Sequence, residues 1–359
     1  MNLVTLEGTP YEAYYQLGKM FREEITQLIN LYKMFWFSKY KLTEDKLNWY
    51  GSEVYKLIEK WDKRIAEELK GLADGVGVDL TSIVLLNARY DIVYMFRKLK
   101  MLEGCTAVGI QPFKNKDNIT IVAQNWDYIP MVKEYSKLFH IKYDDGLEIM
   151  YHGEVGIIGQ KGFNNYGIGV VVNALHSNLD KFKPAIPFFI LMKKVLTASN
   201  MKEAVEYTIN TPISSSGNIM IGVARGEILD FELAPGDYRV IYPTNGILVH
   251  TNHFIGNWHG KIKDLTPYEA GSTYHRYIRT LRKLEEKEII TIEDLKEVFS
   301  DHFSYPNSIC AHINPKDLIP VETLASIIVK LENKEIELAW GNPCKNKYKT
   351  YKINIETKQ

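Results

Sequence analysis

A cysteine preceded by glycine, Gly104-Cys105-Thr106, stands where the helical first third of this chain gives way to an alternating, strand-like pattern ("CTAVGIQPF"). Most free cysteines are buried structural thiols, so the surroundings must decide whether this one does chemistry. Gly104 leaves its carbonyl unhindered and its backbone free to adopt strained dihedrals, and Thr106-Ala107 keep the neighbourhood small. A cut between Gly104 and Cys105 would leave the thiol at the head of a strand. The new α-amine, pKa ~8, would then lie within reach of the side chain it could deprotonate. Such a nucleophile carries its own base and needs no catalytic histidine.

Other residues could share that chemistry. Asp127, in "AQNWDY", lies on the strand that folds back against the Cys105 strand; the plainer reading is a carboxylate capping a turn. Asn164, in "FNNYG", reads equally as part of an Asn-rich turn. Asn252, in "VHTNHF", sits between two histidines at a strand end, and an Asn amide there can donate to a developing oxyanion, a contact typically worth ~3 kcal/mol. His250 and His253 have no third ligand in an obvious motif, so no metal is expected from them. Cys310 reads as a buried structural thiol, His312 as a loop histidine and Cys344 as a loop cysteine without a role.

The elements that must position these residues follow from periodicity. Thr9-Pro10 with Glu12 gives a helix cap, a proline at the first helical position and a capping-box partner. Apolar residues from Leu17 to Leu31 continue a helical period. A second helix is expected from Thr43 to Leu72, stopped by "GLADGVGV", and a third from Asp79. Strand pairs then flank "KNKDN", Asp-Asp-Gly and "NNY", followed by helices near 187–198 and 202–209. "NIMIGVA", "EILDFEL", "YRVIYP" and "GILVHTNH" read as an antiparallel meander. Helices near 272–287 and 292–299 and a final hairpin complete the chain. Strands in blocks between blocks of helices predict α+β with antiparallel sheets.

Composition narrows the class. The chain has 359 residues, 45% hydrophobic and 25% charged, with 44 basic and 44 acidic side chains. That balance offers no field for nucleic acid or an anionic membrane, and no apolar run approaches the ~20 residues a membrane span needs. The N-terminus shows no basic, then apolar, secretory pattern. Three cysteines are too scattered for a disulfide framework or metal knuckle, which points to a reducing, cytoplasmic setting. No cofactor and no metal are expected.

"EGCTAVGI", "AQNWDY", "EVGIIGQKGFNNYGIGVVVNALH", "VHTNH" and "YPNSIC" occur in the order seen in the acyl-CoA:6-aminopenicillanic acid acyltransferase family of N-terminal nucleophile (Ntn) hydrolases, and the chain resembles that family over nearly its whole length. A more distant likeness is to the choloylglycine hydrolases. The resemblance implies a four-layer αββα sandwich in which residues 1–104 are a helical pro-segment and 105–359 the catalytic segment, together one structural domain. It implies self-cleavage at Gly104–Cys105, with the two chains staying associated, and then an acyl-thioester on Cys105 formed from a small acyl amide or an acyl-CoA-type substrate. By the same resemblance Asp127 orients the α-amine, Asn252 and the Asn164 backbone form the oxyanion hole, and Arg276 supports the centre. Gln124 stands where choloylglycine hydrolases carry an arginine, and Ala311 where penicillin acyltransferases carry one. Two other readings are an uncleaved, inactive ligand-binding homologue and a Cys-His thiol protease.

Overall fold

Thr9 caps the first helix as its sequence requires. Its side chain accepts from the Glu12 N–H at 3.2 Å while the Glu12 carboxylate accepts from the Thr9 N–H at 3.0 Å. The computed structural model describes residues 3–95, 104–266, 271–317 and 319–353; Leu102 and Glu103, read with the cleavage junction, lie outside the described residues. The expected first helix is two, α1 (Pro10–Met20) and α2 (Arg22–Tyr40). The second is likewise α3 (Glu44–Trp61) and α4 (Lys63–Val76), because Asp62 leaves helical dihedrals to accept from the Ile65 N–H. A short acidic side chain competes well for that capping position. α4 stops at Gly77, whose φ is 78°. Helices α1 and α4 touch backbone to backbone: a Cβ at Gly71 would fall 2.1 Å from the Tyr11 carbonyl oxygen. α5 (Leu80–Asn87) and α6 (Arg89–Met95) follow.

The first third also contains a strand that its helical pattern hid. β1 (Leu3–Gly8) pairs in parallel with β4 (Ser136–Tyr143) at the edge of an eight-stranded sheet. That sheet continues through β5 (Glu148–Glu154), β6 (Lys161–Asn164), β7 (Ile168–Ala174), β8 (Gly217–Val223), β9 (Ile228–Ala234) and β10 (Asp237–Ile241), in chain order. α7 (Phe188–Val195) and α8 (Met201–Asn210) lie between β7 and β8 in the chain. The second sheet has the order β11 (Ile247–His250), β2 (Gly104–Ile110), β3 (Ile121–Tyr128), β12 (Glu322–Lys330), β13 (Glu335–Trp340), β14 (Lys349–Lys352). α9 (Ser272–Glu285) and α10 (Ile292–Phe299) cover its outer face.

The expected four-strand meander is therefore corrected. β8, β9 and β10 form it, but β11 leaves for the second sheet and pairs with β2, His250 opposite Ala107. Strand pattern carries no information about which sheet a strand joins, and the crossing is what delivers Asn252 to Cys105.

The layers are helix, sheet, sheet, helix, an α+β sandwich of the αββα type. β2 shows how period two serves both faces. Val108 and Ile110 pack in the core beneath α9 and α10, while Cys105 and Ala107 belong to the larger core between the sheets. That larger core runs without a break from α1–α5 into both sheets. Two buried ion pairs cross from the N-terminal helices to the sandwich. Glu68 of α4 meets Lys193 of α7 at 3.0 Å, and Arg89 of α6 meets Glu154 of β5. Burial drives Glu68 up and Lys193 down in pKa, and each partner's charge opposes the shift of the other. Among the described residues no helix is long and apolar enough to cross a membrane.

Candidate active site

β2 and β3 pair so that Gly104 faces Asp127 and Cys105 faces Trp126. Pairing at the open end of the hairpin places the Asp127 carboxylate beside the glycine. A Cβ at Gly104 would lie 3.0 Å from Asp127 Oδ2, so a side chain here would press on the carboxylate. Thr323 of β12 donates to Asp127 Oδ1 at 2.6 Å. Burial pushes the Asp127 carboxyl up to about 7, against the opposing pull of the Arg276 charge and the Thr323 hydrogen bond.

Asn252, just past β11, joins four elements through one carboxamide. Its Oδ1 accepts from the Cys105 backbone N–H at 2.9 Å and from Arg276 Nη2 at 2.9 Å, while its Nδ2 donates to the Ala174 carbonyl at 3.1 Å. The partners fix which end is oxygen, since a carbonyl accepts only and an N–H donates only. The Asn252 N–H donates to Thr273 Oγ1 at 2.8 Å, which ties the turn to α9.

Arg276 reads from sequence either as a surface charge or as a supporting arginine, and the fold decides it. It is 2% exposed, and its Nη1 donates to the Cys105 carbonyl at 2.6 Å and to Thr106 Oγ1 at 3.2 Å. Burial pulls its pKa down, countered by the charges of Asp127 and Cys105.

The structure brings Gly104, Cys105, Asp127, Asn252 and Arg276 together, and it leaves Asn164 apart. The Asn164 side chain donates to the carbonyls of Leu196 and Ala198 and accepts from the N–H groups of Tyr166 and Ile168. It clamps the β6–β7 turn to the end of α7. Ala174, which meets Asn252, is at the other end of β7, roughly 20 Å away at ~3.3 Å per residue. The neighbour that sequence reasoning missed is Asn173, fully buried, with neither amide atom hydrogen-bonded among the described residues. Its signal was present in "VVVNAL", a β-disfavoured amide inside a run of valines.

Gln124 has a structural task. Its amide donates to the Val172 carbonyl at 2.6 Å and accepts from the Val172 N–H at 3.1 Å, filling the strand edge that short β6 leaves open. The Cys105 thiol faces a cavity whose lining includes Tyr90, Trp126, Lys161, Val172, Phe188 and Phe189, with ≈ 10 Å³ left open, room for about one water. The Lys161 ammonium sits 3.6 Å from the Trp126 ring centre.

The two nearby histidines are engaged elsewhere. His250 meets the Thr251 carbonyl through Nδ1 at 2.8 Å and Glu232 through Nε2 at 3.1 Å. Both partners accept only, so the ring carries both protons; burial lowers its pKa, but Asp230 and Glu232 overcome that and raise it. His253 shares Nδ1 with the Thr273 and Thr251 hydroxyls, and burial takes its pKa down to about 4. Neither is placed as the base of a Cys-His pair.

Cys310, His312 and Cys344, read from sequence as unconnected, come together. The two sulfurs are 3.5 Å apart and His312 Nε2 lies 3.6 Å from one and 3.5 Å from the other.

A buried strand-end thiol, with its backbone held by an asparagine and an arginine between two largely antiparallel sheets, is the candidate site of this αββα sandwich. Residues 114–345 match the sequence model of the acyl-coenzyme A:6-aminopenicillanic acid acyl-transferase family; the chain belongs to this family and is an amidohydrolase or N-acyltransferase. It is 30% identical over 311 residues to the 40 kDa form of acyl-coenzyme A:6-aminopenicillanic-acid-acyltransferase of Emericella nidulans, covering 86% of this chain and 84% of that protein. It is 26% identical over 223 residues to an N-acylethanolamine-hydrolyzing acid amidase of Caenorhabditis elegans, covering 56% of this chain and 61% of the amidase. Among solved structures it is similar to a variant of the conjugated bile acid hydrolase from Clostridium perfringens, with a TM-score of 0.44 and 15% identity over 70% of this chain and 97% of that one.

Proposed function

We propose that the chain cuts itself between Gly104 and Cys105 and then hydrolyses or transfers the acyl group of a small N-acyl amide or acyl thioester through Cys105. The observation that carries this reading is the grip on the Cys105 backbone, its N–H by Asn252 and its carbonyl by Arg276. A structural thiol has no use for such a clamp. A nucleophile whose own amine is the base needs that amine held in one orientation.

The Cys105 sulfur attacks the Gly104 carbonyl carbon and its proton passes to a base. The C–N bond breaks as the base returns that proton to the nitrogen, which leaves as the new α-amine, and water cleaves the resulting thioester to free the thiol and the Gly104 carboxyl. In the mature enzyme Asn252 Oδ1 holds that amine while the amine takes the thiol proton. A carboxamide has two N–H donors; Ala174 takes one, and the other serves the tetrahedral oxyanion. Asp127 is the charged partner of the amine. Residues 1–104 remain docked after the cut, held by the continuous core and the Glu68–Lys193 and Arg89–Glu154 pairs.

Ligand binding at Cys105 by an uncleaved homologue is disfavoured by the cavity there, since ≈ 10 Å³ falls far below the ≈ 300–1,000 Å³ of small-molecule sites. The same closure suits a precursor that admits substrate only once cut. The apolar lining favours a hydrophobic acyl group. Three thiols without a disulfide fit a reducing, cytoplasmic setting.

The test is to quench the processed enzyme in acid during turnover of an activated acyl ester and map the added acyl mass. Acyl mass on the Cys105 peptide, removable by hydroxylamine, supports the reading. Turnover that survives alkylation of Cys105 refutes it.

A further inference from the structure

Behind the active site, the loop between α10 and β12 and the turn after β13 present four soft donor atoms to one another. Nε2 of His302, Sγ of Cys310, Nε2 of His312 and Sγ of Cys344 all lie within 4.8 Å of one another. The sulfurs are 3.5 Å apart, the two imidazole nitrogens 3.0 Å, and His312 Nε2 lies 3.6 Å and 3.5 Å from the two sulfurs. A ring nitrogen with at most one proton cannot hydrogen-bond three such neighbours at once, so convergence on a common point is the simpler account. With Zn–S near 2.3 Å and Zn–N near 2.05 Å, a tetrahedral site has edges of about 3.8 Å (S–S), 3.6 Å (S–N) and 3.4 Å (N–N). The two S–N contacts of His312 match such edges, and the S–S and N–N contacts are shorter by about 0.3–0.4 Å.

We infer that His302, Cys310, His312 and Cys344 form a structural zinc site. Two sulfurs and two imidazoles in tetrahedral array select zinc over magnesium or calcium, which require oxygen donors. Four protein ligands leave no open position for water, so the metal's work is structural. Each thiol gives its proton to solvent as its S–Zn bond forms, and two thiolates neutralise the dication. That balance suits a site where Cys310 and His312 are buried.

The fold prepares the ligands without the metal. The Cys310 N–H donates to the Asp301 carbonyl, the His312 N–H to the Pro306 carbonyl, and the N–H groups of Lys345 and Asn346 to the Asn342 carbonyl in the turn that carries Cys344. The two segments also meet directly, Asn342 Nδ2 donating to the Ala311 carbonyl at 2.7 Å. Ala311, between two ligands, donates its N–H to Thr323 Oγ1 at 2.9 Å, and Thr323 donates to Asp127. Zinc therefore fixes the loop that braces the Asp127 carboxylate from behind.

The experiment is zinc content per chain by plasma mass spectrometry, on full-length protein expressed with added zinc and exchanged under reducing conditions against a weak chelator. Wild type and Cys105→Ala should both hold about one zinc, while Cys344→Ala and His312→Ala should lose more than about tenfold. Wild type stripped of metal and titrated with Co(II) should show the visible bands of a tetrahedral thiolate site, which keeps the test valid if a ligand variant misfolds. The inference is overturned by zinc-free wild type without those bands, or by a Cys310–Cys344 disulfide seen as a mass two hydrogens lighter. Equal zinc in the ligand variants, or its loss in Cys105→Ala, overturns it as well. The outcome is independent of cleavage, because Cys105→Ala is scored for metal and not for activity.

Discussion

Asn252 Oδ1 and the Cys105 backbone nitrogen are 2.9 Å apart although 147 residues separate them in sequence. The distance is closed by one topological event, the passage of β11 out of the meander and into pairing with β2. Everything proposed for the site depends on that contact being functional.

Asn252→Ala removes the acceptor for the Cys105 nitrogen and a candidate oxyanion donor together. Turnover should fall by about 10²–10³, in kcat more than KM. Stability should also fall, by about 1–3 kcal/mol for each buried group left unpaired, Arg276 Nη2 and the Ala174 carbonyl among them. Asn252→Asp keeps the acceptor for Cys105 and Arg276 but leaves the Ala174 carbonyl without its donor, so it should lose kcat with a smaller fall in Tm than Asn252→Ala. Steady-state kinetics beside thermal denaturation of both variants separate the two effects.

Gly104→Ala introduces a methyl 3.0 Å from Asp127 Oδ2 and 3.4 Å from Asp127 Cβ. Either the carboxylate moves or the junction does. Self-cleavage should slow by at least about tenfold, a barrier increase of ~1.4 kcal/mol. The readout is the uncut fraction against time after a burst of synthesis.

Asp127 should give the site a titration near pH 7. Arg276 faces it from α9, Thr323 from β12, and the Cys310 thiol from the adjoining loop. If the ionised Asp127 carboxyl is the base that takes the Cys105 proton, cleavage should accelerate as pH rises through about 7. Stability moves the other way. The folded pKa lies above the unfolded ~3.9, so this carboxyl stabilises the fold fully below about pH 4 and loses that contribution as pH rises through about 7. Uncut Cys105→Ala protein should therefore lose more stability from pH 5 to 8 than the same protein carrying Asp127→Asn.

Glu68→Gln strands a buried ammonium at Lys193. Removing one partner of a buried pair costs ~3–5 kcal/mol, and here the pair joins α4 to α7 across the two proposed chains. The processed variant should shed its N-terminal chain at a denaturant concentration that leaves wild type intact, which size-exclusion chromatography in mild urea can follow.

Much of this architecture was legible in the residues. The Thr9–Glu12 capping box, the hairpin that sets Gly104 opposite Asp127, and the αL stop at Gly77 are local devices, and local chemistry specifies them. β1 was hidden because six residues of parallel edge strand precede a strong helix signal. The role of Arg276 depended on burial, which α9 alone does not reveal. Asn164 and Asn252 both sit at strand ends and look alike in sequence; only the sheet assignment shows that one clamps a turn and the other meets the Cys105 backbone. The His302, Cys310, His312 and Cys344 cluster was illegible for the same reason. Its members come from two loops brought side by side by the β12–β13 hairpin, at spacings that match no contiguous metal motif.

The central claim, that Cys105 becomes an N-terminus, is tested most directly by denaturing mass spectrometry of freshly purified wild type beside Cys105→Ala. Two fragments meeting at Gly104/Cys105 in wild type, and a single 359-residue chain in the variant, are the predicted result. An active wild type that remains one uncut chain would contradict the account, because Cys105 would then have no α-amine to act as its base.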